Sequence, residues 1–294
     1  MKSEPPEALG RDGYRVRDNG EWGIEKLAFI DAFGPRALLA TKSKLSRHYV
    51  DLFAGPGMNR IRGGQSEFDG SPLRALELTA EGRINLAFTH AVFLNRDPRD
   101  HSALQARVDQ RISAGRSRIP GTHVACRQGD ANMHIREVMN SIHPRAYAFV
   151  FADMEAPKQF PWSSVQALVD RGHQSVDLYM LLPLDMAIKR LLSSNTKTVE
   201  QCSSVLTAFY GSESWRPLLD HRKGSSHALG AAAQDLYIKQ LKGLWKYAGE
   251  VRDIRRGANH RLYKMLYASN NDAGVRIAKW AAKRTAPPTL FDKP

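Results

Sequence analysis

Short apolar runs alternate along this chain with stretches of helical periodicity, and that alternation restricts the possible folds more than any other feature of the sequence. The runs are His48 to Phe53, His90 to Leu94, Thr122 to Cys126, Tyr147 to Ala152 and Ser175 to Leu182. Each is of strand length and rich in Val, Tyr, Phe or Leu. Helical stretches follow at Ser71 to Ala80, Arg99 to Ser113, Ala131 to Ser141, Trp162 to Arg171 and Asp185 to Leu192. Strands that alternate with helices pair in parallel through right-handed crossovers, so the pattern predicts an α/β, doubly wound, mostly parallel sheet. Further along come a helix ending at Tyr210, a long helix from Ala232 to Ala248, and two strands, Glu250 to Arg256 and Arg261 to Ser269. Gly257 to His260 would join those strands as an antiparallel hairpin at the C-terminal edge of the sheet. A last helix is expected from Asp272 to Lys283. Ahead of the sheet, Trp22, Leu27, Ile30 and Phe33 predict a helix that Gly34-Pro35 stops, with a second short helix from Arg36 to Lys44. The expected organisation is a flexible N-terminal arm over 1–20, one domain over 21–284, and a flexible tail over 285–294.

Bulk properties narrow the class. The 294 residues are 42% hydrophobic, enough for one substantial core. Apolar runs such as Val176 to Leu184 are interrupted by Asp177 and Asp185, far short of the roughly 20 residues a membrane helix needs. The N-terminus lacks the basic-then-apolar pattern of a secretory signal, so a cytoplasmic protein with no membrane partner is expected. Cys126 and Cys202 stand apart from each other and from any Cys/His cluster, which indicates neither a disulfide framework nor a zinc site. The net charge of +13 is unevenly placed: from Lys239 to Arg284 there are twelve Lys/Arg against three acidic residues. Such a face concentrates nucleic acid through counterion release, although a merely solvated basic surface has the same composition.

The chemistry is concentrated after the first strand, in Asp51-Leu-Phe-Ala-Gly-Pro-Gly57. A Gly-rich turn at the carboxyl end of a parallel strand is where open sheets bind ligands. Gly55 and Gly57 leave room for the backbone to approach one, and Phe53, Ala54 and Pro56 belong to the same turn. A dinucleotide loop presents a bare helix N-terminus to pyrophosphate, whereas here Asp51 precedes the glycines and no helix begins before about Ser71. A carboxylate there suits the ammonium and sulfonium of S-adenosylmethionine, and nothing resembles the ATP-binding G-x-x-x-x-G-K-[ST]. The second strand ends in Asn95-Arg-Asp97, where such folds place a group on the ribose hydroxyls. The third runs into Asp130-Ala131, where a carboxylate meets the adenine amino group. The reading is a Rossmann-like protein of the S-adenosylmethionine-dependent methyltransferase type.

The fourth strand delivers Asp153-Met-Glu155 toward the transferable methyl, which makes Asp153 and Glu155 the candidate general base and positioning pair. As two buried carboxylates they would repel, so that one holds its proton. No Asn/Asp-Pro-Pro-aromatic for exocyclic amines is present, nor a Pro-Cys nucleophile for cytosine carbon-5, and a Lys-Asp-Lys-Glu set for ribose methylation is not convincing.

Tyr49-Val-Asp-Leu-Phe-Ala-Gly-Pro-Gly57, Gly70-Ser-Pro-Leu73, Phe209-Tyr-Gly211 and Tyr263-Lys-Met-Leu-Tyr-Ala-Ser269, with Trp22 and Lys26 in the opening helix, resemble the three-Cys-motif partner proteins. The similarity covers about 22 to 280. It implies a bacterial or phage protein with a methyltransferase-like fold that works with a separate three-cysteine protein resembling radical S-adenosylmethionine enzymes. Members carry an acidic residue where Asn95 stands, which moves the ribose contact to Asn95 itself or Asp97. They also carry Asp-Pro-aromatic-Gly where this chain has Asp153-Met-Glu155-Ala, so the substrate side has diverged.

Three functions remain open: a methyltransferase for nucleic acid, RNA or modified DNA; a methyltransferase for a small molecule; and a non-catalytic adaptor that binds cofactor or nucleic acid for its partner enzyme. The expected phosphate-binding residues are Arg252, Arg255, Arg256, Arg261 and Lys264 on the hairpin. Trp245, Tyr247, Tyr263 and Tyr267 lie among these cations, at spacings that suit core packing better than base stacking. Neither the acceptor atom nor the oligomeric state is legible.

Overall fold

The structure is a computed structural model that describes residues 8–64, 66–170, 172, 175–193, 196–223, 225–256 and 260–285. Seven strands form the central sheet: β1 (Arg47–Asp51), β2 (His90–Asn95), β3 (Val124–Gln128), β4 (Tyr147–Ala152), β5 (Val176–Leu182), β6 (Tyr247–Arg256) and β7 (His260–Ser269). Their order is β6-β7-β5-β4-β1-β2-β3. The first five run parallel and β7 runs antiparallel to β5, so the expected mostly parallel, Rossmann-like sheet with an antiparallel C-terminal edge hairpin is what forms. The turn of that hairpin, residues 257–259, lies outside the described residues.

Seven helices matter for the site: α1 (Trp22–Ala40), α2 (Ser71–Glu77), α3 (Pro98–Ser113), α4 (Ala131–Ser141), α5 (Trp162–Ala167), α6 (Ser226–Leu241) and α7 (Asp272–Arg284). The central strands are buried on both faces, as parallel strands covered by helices must be. Val50, Val150 and Met180 point to a core shared with α4, α5 and α6. The alternate residues Tyr49, Phe149 and Tyr179 point to a core shared with α1, α2, α3 and α7. This second core is layered with aromatics; Phe29 of α1 stacks on Tyr179 with ring centres 4.1 Å apart.

Several boundaries differ from the sequence reading. α1 passes through Gly34-Pro35 as one helix instead of breaking into two. Proline inside a helix costs about 3 kcal/mol, but Phe29, Ile30, Phe33, Ala37 and Leu38 form one buried stripe across it. At about 1.5–3 kcal/mol for each large side chain, that stripe outweighs the penalty. α2 ends at Glu77, and the chain after it forms a small hairpin, Thr79–Ala80 with Arg83–Ala87. α5 is shorter than expected, and the expected helix from Asp185 begins as one wide π turn, Leu184–Ile188. α6 starts six residues early because the Ser225 hydroxyl caps it, accepting from Ala228 N at 3.2 Å, and it ends before Trp245. Trp245 and Tyr267 are core residues, while Tyr247 and Tyr263 are half-buried.

The N-terminal arm is the largest correction. Residues 1–7 lie outside the described part, but 8–20 are built into the molecule. Leu9 bridges Arg15, and Arg17–Asn19 pairs in parallel with Met58–Ile61, which pairs in turn with Glu67–Asp69. The cause is Arg107 of α3, a guanidinium only 2% exposed that needs acceptors. It donates to both Asp12 carboxylate oxygens, at 2.7 and 2.9 Å, and to the carbonyls of Arg15 and Pro56, at 2.7 and 2.6 Å. Of the expected C-terminal tail, only Thr285 lies within the described residues.

Candidate active site

The loop after β1 is held from both sides by its neighbours. Leu52 N donates to Phe151 O of β4, and Ala54 N to Leu94 O of β2, both at 3.0 Å. Gly55 and Gly57 take φ values of 62° and 80°, the left-handed region that other residues reach only at a cost. A Cβ on Gly57 would also meet Leu104 Cδ1 at 2.8 Å. Asn95, at the end of β2, is buried and donates from Nδ2 to Gly55 O at 2.8 Å. Among the described residues no donor reaches its Oδ1.

A cleft of about 580 Å³ opens along these strand ends. Phe53, Gly55, Asn95, Asp97, Asp130 and Ala131 line it, in keeping with the expected order of the strand ends. Leu52 and Leu94 add apolar wall, and Arg17, Arg96, Arg99 and Lys158 add cations that sequence reasoning had not placed there. Asp97 and Asp130 are also helix caps: Asp97 accepts from Arg99 N at 2.8 Å and Asp130 from Asn132 N at 2.9 Å. Burial alone would raise the Asp97 carboxyl, but hydrogen bonds from Arg99 and Arg15 hold it well below the usual carboxylate range. It is therefore a fixed anion at neutral pH.

Asp51 does not line the cleft. It is fully buried, accepting from Ser71 Oγ at 2.6 Å on one oxygen and from Phe53 N at 3.2 Å on the other. Burial pushes its carboxyl up to about 7, against the pull of those two hydrogen bonds. The expected direct contact with a cationic ligand is thus replaced by a tie between the loop and the first turn of α2.

Ala54, Pro56 and Gly57 face a second, much smaller hollow of about 20 Å³, which shares Arg17, Phe53 and Gly55 with the first. Lys26, Asn59, Ser71 and Asp153 complete it. Lys26 Nζ donates to Asp153 Oδ2, and both side chains are about nine-tenths buried. Glu155, by contrast, has a side chain 64% exposed. The expected pair of buried, mutually repelling carboxylates is absent, because a lysine from α1 has taken the place of the second acid. Lys26 left a trace in the sequence: with Ile30, Phe33 and Ala37 it lies on the buried stripe of α1, where a lysine needs a partner. Tyr263 of β7 borders the same region. Its phenol is raised by burial and then by Asp153 and Glu155, with Arg17 and Arg62 opposing.

The hairpin cations behave differently from expectation. Arg252 and Lys264 are each 7% exposed. Arg252 faces Glu25 at 3.4 Å, and Lys264 pairs with Glu250 and Asp253 at 2.8 and 2.7 Å. Each contributes to folding rather than to an open basic face. The side chains of Arg255, Arg256 and Arg261 lie outside the described residues. Exposed cations are found instead at Arg96, Arg99 and Lys158 along the cleft, at Arg62 just after the strand that pairs with Arg17–Asn19, and at Arg276, Lys279, Lys283 and Arg284 along α7. The Cys126 thiol is pushed up to about 12, chiefly by burial, which leaves it a poor nucleophile. Among the described residues no helix is long and apolar enough to cross a membrane.

No protein-family model matches the chain, and no curated protein does. Among solved structures it is similar to a DUF519 protein from Legionella pneumophila, at 10% identity over 90% of this chain and 92% of that one, with a TM-score of 0.49. It is also similar to a putative O-methyltransferase from Klebsiella pneumoniae, at 12% identity over 86% and 91% of the two chains, with a TM-score of 0.40. A third is human methyltransferase-like protein 13 in complex with SAH, at 13% identity over 91% and 92%, with a TM-score of 0.40.

Proposed function

We propose that this chain is an S-adenosylmethionine-dependent methyltransferase whose acceptor belongs to a nucleic acid, RNA or modified DNA. The observation that carries the reading is the meeting of the wide cleft and the small hollow at Gly55, one lined by three successive strand ends and the other by the buried Lys26–Asp153 pair. The residues present fit the cofactor. Leu52, Phe53 and Leu94 offer apolar surface to a base, Asn95 Oδ1 is an acceptor for a ribose hydroxyl, and Asp130 is placed for an exocyclic amine. When bound, the cofactor supplies a methyl group made electrophilic by the sulfonium that carries it.

The chain's own part is to position the acceptor and manage its proton. Asp153 Oδ1, the oxygen not taken up by Lys26 Nζ, is placed to orient an acceptor N–H or O–H and take its proton as the methyl is transferred. Lys26 holds the carboxylate in one orientation. The hollow beside this pair is small, about 20 Å³, and opens beside the cleft at Gly55. An acceptor presented from outside, on a polymer drawn in by the exposed Arg96 and Lys158 of the cleft, suits that geometry.

Isothermal titration with S-adenosylmethionine tests the reading. Wild type should bind, and Asn95→Leu should weaken binding about tenfold or more by removing a buried hydrogen-bonding group. Failure of the folded wild type to bind, with circular dichroism as the control, overturns it.

A further inference from the structure

Arg17 occupies an unusual position for a residue from outside the central sheet. Its strand pairs with the chain just after the glycine loop, Arg17 opposite Asn59, and the segment before it is pinned by Arg107 between Asp12 and the Pro56 carbonyl. The guanidinium is therefore carried over the bare Cα of Gly55, its Cζ and Nη2 both 3.4 Å from where a Cβ would sit. It is a wall of both the cleft and the hollow. Its side chain is 32% exposed, at the mouth of the cleft. Among the described residues Arg17 makes no side-chain hydrogen bond; its flanking carboxylates stand off, Asp100 at 3.9 Å and Glu155 at 3.8 Å. An arginine fork at a ligand cleft with its donors open matches a planar anion, which it grips bidentately.

We infer that Arg17 is the clamp for the α-carboxylate of the cofactor's amino-acid arm, delivered across the glycine loop by the N-terminal segment. The inference rests on the cofactor reading above and adds to it the group that selects for a ligand bearing a carboxylate. With no Cβ on Gly55, the guanidinium lies against the loop and presents its fork to the cleft. Asp100 and Glu155 keep the fork oriented without occupying it.

The test compares two ligands by calorimetry, S-adenosylmethionine and its decarboxylated form, which keeps the sulfonium and the amine and lacks only the carboxylate. Wild type should prefer the first by about tenfold or more, the usual size of a charge-assisted hydrogen bond. Arg17→Met should bring the two affinities together, chiefly by weakening S-adenosylmethionine. Arg17→Lys, which keeps the charge and loses the fork, should retain part of the preference. Wild type binding both ligands equally, or Arg17→Met keeping the wild-type preference, overturns the clamp and leaves the cofactor reading standing. Wild type binding neither ligand overturns both.

Discussion

The wide cleft and the small hollow share Arg17, Phe53 and Gly55 but are built in opposite ways. The cleft is a product of local chain geometry: three strands end, three turns follow, and Asn95, Asp97 and Asp130 stand at the turns where helices begin or loops are tied. Its charged groups remain within reach of solvent. The hollow is walled by groups from distant parts of the chain, since Lys26 and Asp153 are 127 residues apart and meet only because α1 packs across β4 and β5. Both of its charges are desolvated, which is tolerable only because they are paired. The difference suggests a division of labour, a solvent-accessible surface for holding a ligand beside a dry, rigid pair for acting on it.

Disabling the hollow alone should have the largest effect. Asp153→Asn and Lys26→Met should each lower single-turnover methyl transfer by about 10²–10⁴, the range of a lost general base, while S-adenosylmethionine affinity stays within a fewfold. Lys26→Met should also cost about 3–5 kcal/mol in denaturant unfolding, because it strands Asp153 without its counter-charge. If transfer and cofactor affinity fall together, the pair belongs to the cofactor cleft and the division is wrong.

Asp51, tied to Phe53 and Ser71, lies beneath both regions and couples their support to pH. Its folded-state value of about 7 lies above the unfolded value near 4. A carboxyl of that kind contributes stability fully below about pH 4, and the contribution is lost as pH rises through 7. The neutral Asp51→Asn lacks this dependence. Its melting temperature should therefore gain on wild type by several degrees between pH 4 and pH 8, with most of the change between 4 and 7. Parallel curves for the two proteins would show that the buried carboxyl is not titrating in that window.

The smallest effect separates the rim of the cleft from the far basic helix. Changing Arg96 and Lys158 together to Gln should lower the log–log salt slope of RNA or DNA binding by about 0.7–0.9 for each phosphate no longer neutralised. The same change at Arg276, Lys279 and Lys283 on α7 should leave the slope nearly unaltered. The reverse result would move the acceptor away from the Lys26–Asp153 pair.

Much of this was legible in the sequence, and the reason is locality. Alternating apolar runs fix strands and helices because burial on two faces leaves no other periodicity. The order of the strand ends places Phe53, Gly55, Asn95, Asp97, Asp130 and Ala131 on one cleft because a parallel sheet sets its carboxyl ends side by side. Tertiary structure decided the rest. Which carboxylate is buried, which lysine neutralises it, whether Arg252 and Lys264 face solvent or Glu25 and Glu250, and whether the N-terminal segment hangs free or is pinned by Arg107 all depend on pairing charges far apart in the chain. Those pairings follow from desolvation, a penalty that depends on the environment of the folded molecule and has no period for a sequence to display.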